Sequence, residues 1–202
     1  VAKRQQGPHA HSINVDPAGK LLCAADLGAD KIFLYRFGTD DGSLKPNTPP
    51  SVSVAAGAGP RHMAFTPNGR YAYVINEIGS TITGFACDAQ AGTLKELQTI
   101  STRPDEFKGE NWPADIHVHP SGKYLYGSNR GYDSIAMYSI DAATGRLTLI
   151  GLESTQGSWP RNFGIDPTGN WLLVANQKSD NLVLFRIDTS TWNSAPVSGN
   201  QS

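Results

Sequence analysis

The 202-residue sequence has no long apolar run, no surplus of either charge and almost no cysteine, and each absence removes a class of protein. No stretch approaches the roughly 20 apolar residues of a membrane-spanning helix, so no membrane partner is expected. Lys and Arg number 17 against 18 Asp and Glu, for a net charge of -1. Such balance lacks the basic footprint of nucleic-acid binding, and no nucleic-acid partner is expected either. The two cysteines, Cys23 and Cys87, show neither C-x-x-C spacing nor a disulfide framework. Both fall in strand-like runs and read as small buried hydrophobes. Unpaired thiols fit a reducing interior, and a cytoplasmic location is the expectation. There is also no G-x-S-x-G, no Walker loop and no Cys/His nucleophile pair, which disfavours an activated-serine hydrolase.

What is abundant is punctuation. Glycine (21) and proline (13) imply many short elements joined by tight turns, against a helix bundle. Four segments share one pattern: Asp16-Pro17-Ala18-Gly19-Lys20, Thr66-Pro67-Asn68-Gly69-Arg70, His119-Pro120-Ser121-Gly122-Lys123 and Asp166-Pro167-Thr168-Gly169-Asn170. Their prolines lie 50, 53 and 47 residues apart. At fixed offsets after each proline stand Asp26, Asn76, Asn129 and Asn176, and then Ile32, Ile82, Ile135 and Leu182. Such coincidences mark a structural repeat.

Each unit reads as four strands. In the second, His62-Met63-Ala64-Phe65 precedes the P-x-G turn and Tyr71-Ala72-Tyr73-Val74-Ile75 follows it. Thr81 to Phe85 and Leu94 to Ile100 come after two further polar breaks. Val, Ile, Tyr, Phe and Thr dominate and no window shows a 3.6-residue period. Four antiparallel strands in about 50 residues, repeated, describe a β-propeller. The expectation is an all-β protein of four-stranded antiparallel blades over 7–53, 54–104, 105–154 and 155–190, with a polar tail at 191–202.

Hairpin geometry then locates the polar residues. If Pro67-Asn68-Gly69 turns the hairpin, residues whose numbers sum to about 138 face each other, which pairs Arg61 with Glu77 at the open end. The same offsets give His11 with Leu27, Ala114 with Arg130, and Arg161 with Gln177. The first two strands of a blade lie nearest the axis, so these positions converge on one mouth of the central channel, a binding-site signature. Three arginines and one carboxylate leave positive charge for an anionic ligand, and the guanidinium fork suits carboxylate or phosphate. His9, two residues before His11, and Glu110, in the longest inter-blade insertion, are secondary candidates together with Gln177. His117 and His119 flank Val118 and are expected to share a face, but no third ligand accompanies them, so no metal is expected. His62 is expected to point into the core.

At these residues the chain resembles a known family. Gly7-Pro8-His9-Ala10-His11-Ser12, Gly59-Pro60-Arg61-His62 with Asn76-Glu77, Gly109-Glu110-Asn111, Ser128-Asn129-Arg130-Gly131 and Trp159-Pro160-Arg161-Asn162 resemble the seven-bladed β-propeller lactonases. That family includes propeller-type 6-phosphogluconolactonases and carboxy-cis,cis-muconate cyclase. The resemblance runs from about Gly7 to Asp188 and implies a site at His11, Arg61, Glu77 and Arg130. Asp115 stands where the family often has glutamate. It further implies about four blades of a probable seven, here the C-terminal portion. The chain would then associate with N-terminal blades or with itself.

The implied activity is hydrolysis of an anionic sugar-acid lactone, 6-phosphogluconolactone foremost, in carbohydrate metabolism and the pentose phosphate pathway, without cofactor. The expected roles are Glu77 as base for water, His11 sharing proton transfer, Arg61 at the oxyanion, and Arg130 with Arg161 on the substrate anion. Two alternatives stay open: a muconate-type lactonising enzyme, and a non-catalytic binding scaffold.

Overall fold

The computed structural model describes residues 4–188 and, as strand backbone, 194–196. The described residues form sixteen strands and no helix, and none of them belongs to a helix long and apolar enough to cross a membrane. Four antiparallel sheets follow one another along the chain, each with its strands side by side in sequence order. The first contains β1 (Ala10–Val15), β2 (Leu21–Asp26), β3 (Lys31–Phe37) and β4 (Leu44–Ser53). The second contains β5 (Pro60–Phe65), β6 (Tyr71–Asn76), β7 (Thr81–Asp88) and β8 (Thr93–Ser101). The third contains β9 (Trp112–Val118), β10 (Tyr124–Arg130), β11 (Ser134–Ile140) and β12 (Leu147–Ser154). The fourth contains β13 (Pro160–Ile165), β14 (Trp171–Asn176), β15 (Asn181–Ile187) and β16 (Ser194–Pro196). β16 falls inside the stretch expected to be a polar tail and pairs with β15; the rest of 191–202 lies outside the described residues.

The repeated P-x-G segment turns the first hairpin of every sheet. Gly69 and its three counterparts hold φ between 68° and 76°, open to glycine at little cost. The residue before the proline closes the turn with its side chain. Asp16 accepts the amides of Ala18, Lys20 and Leu21, and Asp166 those of Thr168, Asn170 and Trp171. These are Asx-type turns, which explains the Asp-Pro-x-Gly spelling.

Alternation along the strands decides which sheet each side chain meets. On β6, Tyr71, Tyr73 and Ile75 pack toward the third sheet, while Ala72 and Val74 pack toward the first. Every residue of β6 is buried, as a strand covered on both faces requires. Three apolar layers result. Leu21, Cys23, Ile32, Leu34 and Phe85 lie between the first and second sheets, and Ile75, Ile82, Leu125 and Tyr138 between the second and third. Tyr126, Phe163, Leu172 and Phe185 fill the layer between the third and fourth. Tyrosine hydroxyls in the middle layer cross between sheets. Tyr73 donates to the Gly145 carbonyl at 2.9 Å and Tyr138 to that of Ser101 at 2.6 Å, so burial leaves no hydroxyl stranded.

The outermost faces of the array are apolar yet uncovered. Ile13 and Val15 of the first sheet are exposed, as are Trp171, Leu173 and Leu182 of the fourth. β1, β5, β9 and β13, the first strand of each sheet, pack in succession along the inner edge.

The hairpin register differs from the sequence expectation by one. Met63 faces Val74 and Phe65 faces Ala72, but Pro60 faces Asn76, so Arg61 is an extra residue without a direct partner. The same irregularity leaves out His11 in the first sheet and Arg161 in the fourth. In the third it falls at Ala114 and Asp115. A β-bulge bends its strand and re-aims the inserted side chain. All four sheets therefore bulge at the position that hairpin symmetry assigned to the mouth.

Phe85 is fully buried between the first two sheets. Phe85→Ala is expected to lower stability by about 3–5 kcal/mol in urea unfolding. A loss below about 1 kcal/mol would mean that the sheets do not pack through it.

Candidate active site

Placement of the site begins in the connections between sheets. Asp30, in left-handed backbone at φ 52°, accepts the amides of Gly57 and Gly59 at 2.8 Å each. The Gly59 carbonyl in turn accepts the Glu77 amide at 2.8 Å. The chain entering β5 is thus held from both sides, and the bulge delivers Arg61 beside Glu77. One blade on, the Ser80 hydroxyl donates to the Asn111 carbonyl at 3.0 Å and fixes the entry to β9. Asp133, at φ 51°, accepts the Trp159 amide at 2.8 Å and fixes the entry to β13.

Glu77 is 1% exposed and is shared by guanidiniums from three parts of the chain. Its Oε2 accepts Arg61 Nε at 2.8 Å and Arg130 Nη2 at 2.7 Å, and its Oε1 accepts Arg4 Nη2. Burial alone would raise its pKa, but Arg130, Arg4 and Arg61 outweigh burial and hold the carboxyl below its ordinary value. Arg61 also donates to the Ala114 carbonyl, and Arg130 Nε to that of Trp112 at 2.8 Å. Burial, then Arg130, lower the Arg61 pKa to about 10, with Glu77 opposing, so it stays cationic at neutral pH. Behind Arg130 stands Trp159, a non-glycine residue at φ 68°, with Arg130 5.8 Å and Lys178 3.2 Å from its ring centre.

A second polar group adjoins the first along the channel. His11 lies 5.2 Å from His62, ring to ring and edge-on. Its Nδ1 is buried without a partner among the described residues. Burial, Arg61 and His62 lower its pKa to about 4 against the opposing Glu77, which makes it a neutral imidazole near pH 7. His62 does not enter the core as expected. Its Nδ1 is 2.7 Å from Asp115 Oδ1, and its side chain is 28% exposed to the channel. Asp115 is 3% exposed and also meets Asn162 Nδ2 at 2.6 Å and His117 Nε2 at 3.3 Å. His119 reaches the fourth sheet, as His117 does at the Phe163 ring, but it is buried in a turn role against the Ser121 hydroxyl and the Gly169 carbonyl. Among the described residues no three His, Cys, Asp or Glu side chains gather as a metal ion needs.

A cavity of about 570 Å³ opens beside Arg61 and His62 and runs along the fourth sheet past Arg161, Asn162, Gln177 and Asp180 to Leu182 on its uncovered face. A second, of about 440 Å³, continues down the channel past His62, Asp115 and His117. Arg161 is exposed and has no ion pair among the described residues. His9 and His11 share a smaller pocket, of about 320 Å³, with Arg4 and Leu27. Glu110 is exposed and has no ion pair among the described residues; Trp112, two residues on, is the one that reaches the cluster, through its carbonyl on Arg130. The hairpin arithmetic thus names Arg61, Glu77, Arg130, His11 and Arg161, and misses Arg4, His62 and Asp115. Arg4 lies outside every repeat, and symmetry has nothing to say about it. His62 and Asp115 are neighbours only across two sheets, a relation that within-hairpin counting does not reach.

Comparison with known proteins places these residues in context. The family model for "Lactonase, 7-bladed beta-propeller" matches residues 1–200. The chain is 39% identical over 156 residues to the 6-phosphogluconolactonase of Bacillus subtilis, covering 77% of this chain and 44% of that protein. It is 38% identical over 146 residues to the enzyme of the same name from Serratia proteamaculans, covering 72% and 44%. Among solved structures, it is similar to the periplasmic gluconolactonase PpgL of Pseudomonas aeruginosa (TM-score 0.90, 35% identity, 96% of this chain and 54% of that one). It is equally similar to a Lactobacillus plantarum protein (TM-score 0.90, 35% identity, 96% and 55%). The chain therefore spans less than half the length of these curated relatives and a little over half of these solved chains.

The cluster makes a stability prediction. Removing the Glu77 charge leaves Arg61 and Arg130 buried without their counter-ion, so Glu77→Gln is expected to cost about 3–5 kcal/mol at pH 7. A carboxyl held below its ordinary 4.5 stabilises the fold above that pH and loses the contribution as pH falls. The gap between wild type and variant in thermal melts is thus expected to close on acidification. An equal gap at pH 7 and at pH 3 would contradict this.

Proposed function

This chain belongs to the seven-bladed β-propeller lactonase family, and from that premise we propose that it carries the reaction site of a lactone hydrolase acting on 6-phosphogluconolactone. One observation carries the reading: guanidiniums from separate sheets converge on a single buried carboxylate beside a 570 Å³ cavity, and Arg161 stands at its rim without an ion pair. Such a surplus suits a substrate that brings one anion and develops another. The names of the curated relatives and of the periplasmic gluconolactonase support lactone opening over the lactonising and scaffold alternatives.

In this reading Arg61 faces the developing oxyanion. Its Nε and Nη1 are committed to Glu77 and Ala114, and Nη2 has no partner among the described residues. Arg161 takes the substrate phosphate, with Gln177 beside it. The role of Glu77 departs from the sequence expectation. Both of its oxygens already receive guanidinium donors and its basicity is lowered, so it serves by ordering Arg4, Arg61 and Arg130 rather than by accepting a proton from water. Arg130, tied to Glu77, Trp112 and Trp159, backs the oxyanion site instead of holding the substrate anion.

The uncovered apolar faces at Ile13 and Val15, and at Trp171, Leu173 and Leu182, fit further blades of the same ring. The two free thiols, Cys23 and Cys87, support a cytoplasmic setting.

The test is substrate discrimination by the full-length protein. It is expected to hydrolyse 6-phosphogluconolactone above the spontaneous rate and to prefer it to unphosphorylated gluconolactone. Loss of a charge-assisted contact of about 1.5–3 kcal/mol in Arg161→Gln is expected to narrow that preference in kcat/KM by about tenfold or more. An unchanged preference would remove Arg161 from phosphate recognition.

A further inference from the structure

The proton acceptor remains to be found once Glu77 is committed to its arginines. We propose that His62, oriented by Asp115, is the general base that activates water, an assignment that rests on the hydrolase reading above. The geometry distinguishes it from Glu77 and His11, and from His117, which Asp115 also meets at 3.3 Å but which does not line the cavity with Arg61 and Arg161. Asp115 is a buried carboxylate with no lysine or arginine in its salt bridges, and donors surround it: His62 Nδ1 at 2.7 Å and the Ile116 amide at 3.0 Å on Oδ1, with Asn162, His117 and the Phe163 amide on Oδ2. Burial works against its charge, yet the donors from His117 and His62 hold it well below the usual carboxylate range. An ionised carboxylate only accepts hydrogen bonds. The neutral ring bonded to such a carboxylate carries its proton on Nδ1 and presents Nε2 as a lone pair. That nitrogen has no partner among the described residues, and the ring lines both the 570 Å³ cavity with Arg61 and Arg161 and the channel below it.

His11 lacks this support. Its Nδ1 has no partner among the described residues and no carboxylate orients it; its edge-on ring packs against His62 and helps hold that ring in place. Asp115 itself is sequestered, so it is a positioning residue rather than a catalytic one.

The chemistry balances with water alone. His62 Nε2 takes a proton from water as the water oxygen bonds to the lactone carbonyl carbon, and the carbonyl oxygen becomes an oxyanion facing Arg61. Collapse of that intermediate breaks the bond from the carbonyl carbon to the ring oxygen, and the proton held on Nε2 passes to the leaving oxygen. The hydroxy acid then ionises, and His62 returns to its starting tautomer. No other co-reactant enters.

The experiment uses the full-length protein and 6-phosphogluconolactone. His62→Ala is expected to lower kcat by about a hundredfold with little change in KM, and added imidazole to restore part of the lost rate. Asp115→Asn is expected to lower kcat by about tenfold or more, again at nearly constant KM, and Asp115→Glu to recover most of it. Thermal melts establish that each variant folds, and His62→Gln carries the test if the alanine variant does not. An active wild type whose folded His62 variants keep more than about a tenth of kcat, or lose only substrate affinity, overturns the assignment while leaving the hydrolase reading intact. A wild type no faster than the spontaneous reaction overturns both.

Discussion

One carboxylate holds the mouth of this structure together. Glu77 draws guanidiniums from the segment before β1, from β5 and from the end of β10, and it is the point where three successive parts of the chain are electrostatically joined. Cations so close together repel, and burial penalises each of them. A single anion in their midst makes the assembly tolerable without neutralising it. The remaining positive charge faces the cavity. In the proposed reading, the same interaction that links the sheets prepares the site for a negatively charged transition state, with donors already aimed before any substrate arrives.

Delivery of those side chains is a matter of backbone rather than of charge. A regular hairpin alternates its residues between the two faces of a sheet and presents none of them along the axis. The bulge shared by all four sheets breaks that alternation at His11, Arg61, the Ala114–Asp115 pair and Arg161. The third sheet uses the irregularity differently. Ala114 offers its carbonyl to Arg61, and Asp115 turns toward His62. A repeat architecture thus supplies equivalent positions, and substitution at those positions divides the labour among them.

Much of this was readable from residue types and spacing. The four P-x-G turns announce the hairpins because Asp, Thr or His before proline, and glycine after, satisfy a specific turn; the run of Tyr, Ala, Val and Ile in 71–75 announces a strand. Arg61 and Glu77 come together as hairpin counting predicts, although by a bulge rather than by direct pairing, and the count itself is off by one. What escaped has a physical reason in each case. Arg4 belongs to no repeat. His62 looks like a core residue because its neighbours Met63 and Arg61 point elsewhere, and only the inter-sheet approach of β5 and β9 reveals Asp115 opposite it. The strand at 194–196, which pairs with β15, lies in a polar sequence and lacks the large apolar and β-branched residues that mark the other strands.

Division of function between two acids follows from their surroundings. Glu77, ringed by permanent cations, organises charge; Asp115, ringed by imidazoles and amides, sets a tautomer. The most direct measurement of this account is a crystal structure of the full-length protein with 6-phosphogluconate, the product acid, bound. The account predicts its carboxylate against Arg61 with His62 Nε2 within about 3 Å, and its phosphate on Arg161. Product seated away from this mouth, or Arg61 and Arg130 parted from Glu77, would contradict it.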